Sequence, residues 1–477
     1  MKMISNLKKM AIVAALVLGV ASCSDDDDGN GGNPDVDGTT IVEIAANTDN
    51  LSILVQALQR VNLVDILNGT ENFTVLAPTN DAFAAFLAAS EEYDALADIP
   101  DDVLTQVLLN HVISGEVLSS ALTDSGYANT LATLADDDDD DSNNANISLY
   151  YDNDDGELEF NGTANVSEAD IDASNGVIHI VDAVVPIPTV TNAISYNSNL
   201  STLVSALGDT DLDGIAADLG GATILAPTND AFQALLDGDD NLNSLTDIPD
   251  ASNVLSNHII GSPISSEVLT SVGNAYTTTL AQVDTDNDDD FLSIYYNTTN
   301  GVTFNGISNV SMADIVTSNG IIHIVDAVIT LPTVTTFVAA DPTFSTLLAA
   351  LTDLTPNTDF AGILSRTDDD NNDDVDPPFT VFAPTDTGFT DFDATIGEDA
   401  IANILLGHVI SGNYILSGDL EDGDVSTLNG DISIAIDDTS GDAMVQGNSN
   451  NDGISIISVD IKAINGVIHA IDGVILP

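Results

Sequence analysis

Histidine is the side chain best suited to proton transfer near neutral pH and to metal ligation, and all six histidines of this chain fall in two recurring settings. His111, His258 and His408 each precede a branched apolar pair, Val112-Ile113, Ile259-Ile260 and Val409-Ile410. His179, His323 and His469 each lie just after an Asn-Gly pair, in Asn175-Gly176, Asn319-Gly320 and Asn465-Gly466. Two imidazoles per repeat make half a zinc site, and no third ligand stands at a fixed spacing. The expectation is therefore structural, with each ring hydrogen-bonded inside a core. Shortly before the second setting stand Asp170-Ile171, Asp314-Ile315 and Asp460-Ile461. Such a pair fits an Asp capping a turn over a packed Ile.

Carboxylates supply the other candidate chemistry. Asp209, Asp211 and Asp213, followed by Gly214, match the first half of a calcium loop, in which alternate oxygens and a glycine turn surround the ion. Gly220 stands where the bidentate Glu would complete it. Asp284, Asp286 and Asp288 repeat the alternation without the glycine. Weak calcium binding is one reading of these loops, and a solvated acidic loop suited to a salty medium is the other. Catalytic signatures are absent: there is no Gly-x-Ser-x-Gly, phosphate loop or dinucleotide fingerprint. Paired carboxylates carry no information among 77 acids, and Lys462 is the only lysine beyond the first ten residues. The expectation is a non-enzyme that requires no cofactor, with a carbohydrate-active hydrolase as the remote alternative.

The charge balance narrows the partners. The chain of 477 residues has 77 Asp and Glu against six Lys and Arg, for a formal net charge of −71. Of the six bases only Arg60, Arg366 and Lys462 lie beyond the first ten residues. Three scattered cations cannot build a phosphate-binding surface, so nucleic acid and anionic membrane are excluded as partners. Disorder requires low hydrophobicity as well as high charge. With 44% hydrophobic residues and a mean hydropathy of +0.17, the chain has material for cores beneath an acidic coat.

Residues 1–22 combine a basic start, an apolar stretch from Ala11 to Val20 and small residues, the three parts of a signal peptide. Cys23 is the only cysteine, which excludes disulfides and Cys-ligated zinc. Val20-Ala21-Ser22-Cys23 resembles a bacterial lipobox, and that resemblance implies cleavage before Cys23 and its lipidation. Residues 23–39 then form an acidic, Gly/Asn-rich tether. The run Ser24 to Asp28 resembles the acidic signal that sends some lipoproteins to the outer face of the outer membrane.

The elements that position the histidines come in three copies. The segment from Phe73 to Phe83, with Ala77-Pro78-Thr79-Asn80 at its centre, returns from Ala222 to Phe232 and from Phe379 to Phe389. The two histidine blocks follow it in the same order each time, so each copy is a domain rather than a solenoid unit. The boundaries fall at 40–188, 189–333 and 334–477. In the first copy Leu51, Leu54, Val55 and Leu58 have helical spacing, and Phe73 to Ala77 reads as a buried strand stopped by Pro78. Thr79 caps the next helix with Asp81 in its first turn. Asp101 and Asp102 open a helix whose apolar face includes Val103, Val107 and His111, and Gly115 is expected to end it. Strand-like sequence follows to Pro186, so the fold class is α+β with helices early and strands late.

These blocks, with Thr130-Leu131, Thr279-Leu280 and Thr427-Leu428 between the second and third, resemble the fasciclin domain in three tandem copies. The resemblance implies a wedge of β-strands with packed α-helices, used in cell adhesion and matrix assembly without catalysis. In animal matrix members of the family an Asp-Ile pair at this place is associated with integrin binding. The chain departs from the family by carrying Asn110, Asn257 and Gly407 where many members have Tyr. Its third copy has Asp386-Thr387-Gly388 in place of Asn-Asp-Ala. The functional expectation is a lipid-anchored surface protein that contacts a cell-surface or matrix protein, a glycan or another copy of itself. The alternative is a calcium- or salt-responsive acidic spacer.

Overall fold

The first recurring block, Phe73–Pro78, is apolar on both faces and lies fully buried at the centre of its module. In the computed structural model the described residues are 38–134, 145–153, 156–210, 221–283, 290–367, 375–390, 392–436, 443–449 and 453–476. Cys23, the signal-peptide and tether segment through residue 37, the side chain of Asp209 and residues Asp211, Asp213, Asp284, Asp286 and Asp288 lie outside them. The hydrophobic clusters run from Ile41 to Ile475, so Thr39–Pro477 carries its own cores and forms a compact unit.

Among the described residues each module has seven strands. In the first they are β1 (Phe73–Pro78), β2 (Val112–Ser114), β3 (Ser125–Thr133), β4 (Asn146–Asp152), β5 (Glu159–Phe160), β6 (Ala164–Ala173) and β7 (Gly176–Val181). In the second they are β8 (Ala222–Pro227), β9 (Ile259–Ile260), β10 (Ala275–Gln282), β11 (Phe291–Asn297), β12 (Thr303–Phe304), β13 (Ser308–Thr317) and β14 (Gly320–Val325). In the third they are β15 (Phe379–Pro384), β16 (Val409–Ser411), β17 (Gly423–Thr427), β18 (Gly430–Ile436), β19 (Ala443–Gln446), β20 (Ile454–Ala463) and β21 (Gly466–Ile471). The strand order is the same each time, and in the first module a bridge from Ile113 to Thr130 closes it into a barrel. The first and last strands of each module pair in parallel, Phe73 opposite Gly176 and Pro78 opposite Val181. Gly176 is required there. It has φ of 138°, and a Cβ would fall 1.9 Å from the Phe73 carbonyl oxygen.

Helices fill one side of the sheet. The expected helix around Leu54 and Leu58 spans Ser52–Arg60. Thr79 caps the helix Asn80–Ala89 by accepting from the Ala82 N–H, with Asp81 in the first turn. Asn80 reaches back, its Oδ1 accepting from the Ile53 N–H at 2.9 Å. Asn229 does the same for Thr202 and Asp386 for Thr346, so the third module keeps the tie with a carboxylate. The Asp386–Phe389 stretch is only a 3-10 turn, since Thr387 and Gly388 are poor helix formers. Phe389 nevertheless reaches the core.

One local expectation is corrected. The helix Asp101–Leu109 stops at Asn110, before Gly115, which instead follows the short strand β2 with φ of 87°. His111 therefore sits in the turn between helix and strand rather than on the helix face. The competing pull is tertiary: Val112 and Ile113 are worth more paired against β1 than continuing a helix.

Successive modules meet at two similar joints. The Ser148 hydroxyl on β4 accepts from the Val316 N–H at 3.0 Å, and the Ser293 hydroxyl on β11 accepts from the Lys462 N–H at 2.9 Å. A tyrosine hydroxyl is bonded at each joint, Tyr127 with Asn197 at 3.2 Å and Tyr276 with Asp341 at 2.9 Å. The side chains differ at one matched position. Val316 is buried with Ala132 and Ile147, whereas Lys462 forms an ion pair with Asp290 at 2.5 Å. Removing one partner of this part-buried pair leaves the Asp290 carboxylate without its charge-assisted bond. Lys462→Met is therefore expected to cost about 1–3 kcal/mol. Urea unfolding of Thr39–Pro477 checks this, and the double variant with Asp290→Leu should recover most of the loss.

Candidate functional site

Each module has one histidine just before its second strand and one within its last strand, and the two carry opposite tautomers. His111 Nδ1 lies 2.7 Å from the Val107 carbonyl oxygen, which only accepts, so Nδ1 holds the proton. Nε2 is then the acceptor for the Val185 N–H at 2.9 Å. His258 and His408 repeat both contacts, with Val254 and Ile329 and with Ile404 and Ile475. Burial disfavours the imidazolium and pushes all three rings down to about 4, against a smaller opposing effect of the carbonyl bonds.

The second histidine anchors a latch. β6 pairs with β7 through register shifts on either side of Glu168, and Asp170 takes the left-handed conformation there, with φ of 59°. Its N–H donates to His179 Nδ1 at 3.2 Å, and His179 Nε2–H donates to the Val117 carbonyl at 2.9 Å. The Asp170 carboxylate reaches the loop after β2, accepting from the Ser119 N–H at 2.8 Å and the Ser119 hydroxyl at 2.5 Å. Both bonds to Ser119 hold that carboxyl below the usual carboxylate range. In the second module Asp314 joins His323 and Ser266 in the same way. In the third, Asp460 joins His469 and Ser417. Burial lowers the His323 and His469 rings, opposed by their carbonyl bonds and by the nearby Asp.

The structure thus places all six histidines in hydrogen-bonded positions and brings three of them together with the Asp-Ile pairs. Ile315 and Ile461 are buried, and Ile171 packs half-buried against the first core. The serine partners were not singled out from sequence. Their signal is a serine at nearly the same distance past the first histidine of every copy. Around the latches lies exposed apolar surface: Leu118 precedes Ser119, Met312 stands two residues from Asp314, and Ile457 and Val459 precede Asp460. The first latch also borders a cleft of about 640 Å³ that includes Ser119, Glu157 and Ala169. Among the described residues no group of three or more His, Cys, Asp or Glu is placed to hold a metal.

Asn110 shows what occupies the family's Tyr position. It is fully buried, donating to the Pro186 carbonyl at 3.2 Å and accepting from the Thr130 hydroxyl at 3.4 Å. Asn257 makes the matching bonds to Thr330 and Thr279. Gly407 has no side chain to do so, and Thr427 turns to the Gly430 carbonyl instead.

Comparison with known proteins agrees with this architecture. The Fasciclin domain matches residues 49–188, 198–332 and 342–477, and the chain belongs to that family as three tandem domains. It is similar to Protein sll1483 of Synechocystis, 40% identical over 31% of this chain and 72% of that protein. It is also similar to pig transforming growth factor-beta-induced protein ig-h3, 30% identical over 54% of this chain and 35% of that protein. The chain thus spans about a third of ig-h3. A solved Fasciclin domain pair from the insect cell adhesion molecule fasciclin I aligns with a TM-score of 0.36 and 22% identity, covering 59% of this chain and 98% of that one.

The neutral rings set a pH dependence. Between pH 6.5 and about 4 the unfolded imidazole takes a proton that folded His111, His258 and His408 refuse. Stability is therefore full above pH 6.5 and lost as pH falls, by about 2 kcal/mol per ring at pH 5. Acid also relieves carboxylate repulsion, so the urea midpoint is best followed in high salt, where that repulsion is screened. The midpoint should drop from pH 7 to pH 5, and an unchanged midpoint would refute the assignment.

Proposed function

We propose that this chain is a surface adhesion or matrix-contact protein whose three latch faces act together. The observation that carries the reading is the recurrence of one Asp–His–Ser latch, beside exposed apolar residues, in modules held at bonded joints. Weak contacts at sites of fixed spacing add through effective concentration, so three modest patches give firm attachment. Membership of the Fasciclin-domain family supports this role. Anchoring through a lipidated Cys23, with residues 23–39 as tether, would present the array at the outer face of the outer membrane. The partner is a surface or matrix protein, a glycan, or a second copy of this chain.

The test is bead aggregation with Thr39–Pro477 in calcium and in chelator at matched ionic strength. Aggregation in both is the expected result and marks direct domain contact. Aggregation in calcium alone would favour the cation-bridged spacer built on Asp209, Asp211, Asp213, Asp284, Asp286 and Asp288. No aggregation under either condition would eliminate homophilic contact.

A second series separates the Asp itself from the latch. Ser119→Ala, Ser266→Ala and Ser417→Ala together loosen the loops while leaving every Asp-Ile pair in place. Adhesion should fall at least threefold if the latched surface is what binds. Unchanged adhesion would shift recognition away from the latch loops.

A further inference from the structure

Three tandem modules carry three copies of each side of the joint, and the two joints use only two of them. On the leading side a tyrosine pair spans adjacent strands, Tyr127 opposite Tyr150 and Tyr276 opposite Tyr295. The paired rings lie 5.2 and 4.9 Å apart, and Tyr127 and Tyr295 pack into the core of the following module. Two residues before the second tyrosine stand the joint serines, Ser148 opposite Asn129 and Ser293 opposite Thr278. On the receiving side Val316 stands opposite Ile321 and Lys462 opposite Val467, and each donates its N–H to the joint serine.

The same registers identify the copies left over at the two ends of the array. In the third module Asp424 faces Ser433 where the tyrosine pairs stand, and Asp431 faces Ser426 where the joint serines stand. In the first module Asp172 faces Val177, the place of Val316 and Lys462. Asp172, Asp424 and Asp431 are exposed, whereas Ser148, Ser293 and Val316 are buried.

A face that docks head to tail adds copies without limit unless something stops it. We propose that the two end faces reject each other, so that the array stops at three modules and chains do not join end to end. Docking the third module of one chain on the first module of another would seat the Asp431 carboxylate where Ser148 meets Val316, against the Asp172 side chain. Like charges set together at an interface exclude a partner that the fold alone would admit. The bases beyond the first ten residues are engaged elsewhere, Arg60 with Asp101, Arg366 with Val375 and Lys462 with Asp290. Asp424 and Ser433 also offer no ring to the receiving core, so the apolar area buried at the internal joints is missing. The proposal concerns the ends of the array and is independent of the latch faces.

Sedimentation velocity on Thr39–Pro477 tests it at protein concentrations up to about 1 mM, comparable to what a short tether supplies to an internal joint. One variant restores the leading face with Asp424→Tyr, Asp431→Ser and Ser433→Tyr, a second restores the receiving face with Asp172→Val, and a third carries all four changes. Each face variant alone should sediment as the unaltered chain does, and their mixture should form a one-to-one pair. The chain carrying all four should grow into open oligomers, associating about tenfold or more strongly than the unaltered chain. Asp172→Lys sets opposite charges on the two faces and should associate in low salt and come apart in high salt. These positions are exposed or half-buried, so urea midpoints should stay close to that of the unaltered chain. Failure of both the four-residue variant and Asp172→Lys to associate while folded overturns the proposal. So do oligomers of the unaltered chain that vanish with Asp431→Trp, which fills the seat of the joint serine, because the end faces would then already dock.

Discussion

The closing strand of each module is bonded on every side, and the rest of the module depends on that arrangement. In the first module β7 pairs in parallel with β1 and antiparallel with β6. The Asn175 side chain just before it accepts from the Ile41 N–H at 2.9 Å, fixing the first helix from across the module. His179 in the same strand faces the latch. The parallel pair and the Asn175 bond join residues more than a hundred apart in sequence, so they tie the two ends of the module together. The glycine beside Asn175 is the smallest piece of this constraint and the least replaceable, because the partner strand occupies the space of its Cβ.

The two joints reuse one backbone arrangement with different side-chain chemistry. An apolar plug at Val316 seals the first, and a part-buried Lys462–Asp290 pair seals the second. An apolar plug draws its stability from area removed from water, whereas an ion pair taken out of water is specific in partner and unforgiving of loss. The distinction makes the modules non-interchangeable despite their shared fold. It also accounts for the only lysine beyond the first ten residues. Arg60 and Arg366 are tied in comparable ways, Arg60 to Asp101 and to the carbonyls of Leu96 and Ile99, and Arg366 to the Val375 carbonyl. The three cations beyond the N-terminal segment thus serve as internal ties, and the surface is left to the acids.

The third module shows which parts of the pattern are dispensable. Gly407 removes the amide that links the helix end to the Thr130 position, and the 3-10 turn at Asp386 replaces a full helix. The latch, the parallel pair and both histidine contacts remain. Elements that bind strand to strand persist, and elements that dress the helical side vary.

The sequence alone determined the three repeats, their α+β class, the buried first strand and the Thr79 cap. Each of these rests on local periodicity or on a residue type whose role is set by its neighbours. Tertiary structure decided where the helix before His111 ends, because strand pairing of Val112 and Ile113 outweighs the helical pattern leading into them. It also decided that the Asp-Ile pair is a strand bulge locked to a serine from a distant loop, since the Asp170 and Ser119 partnership is invisible to spacing. The Lys462 pair likewise exists only because different modules meet. Local sequence specifies backbone preference, whereas the partner of a buried polar group is specified by whatever the fold brings next to it.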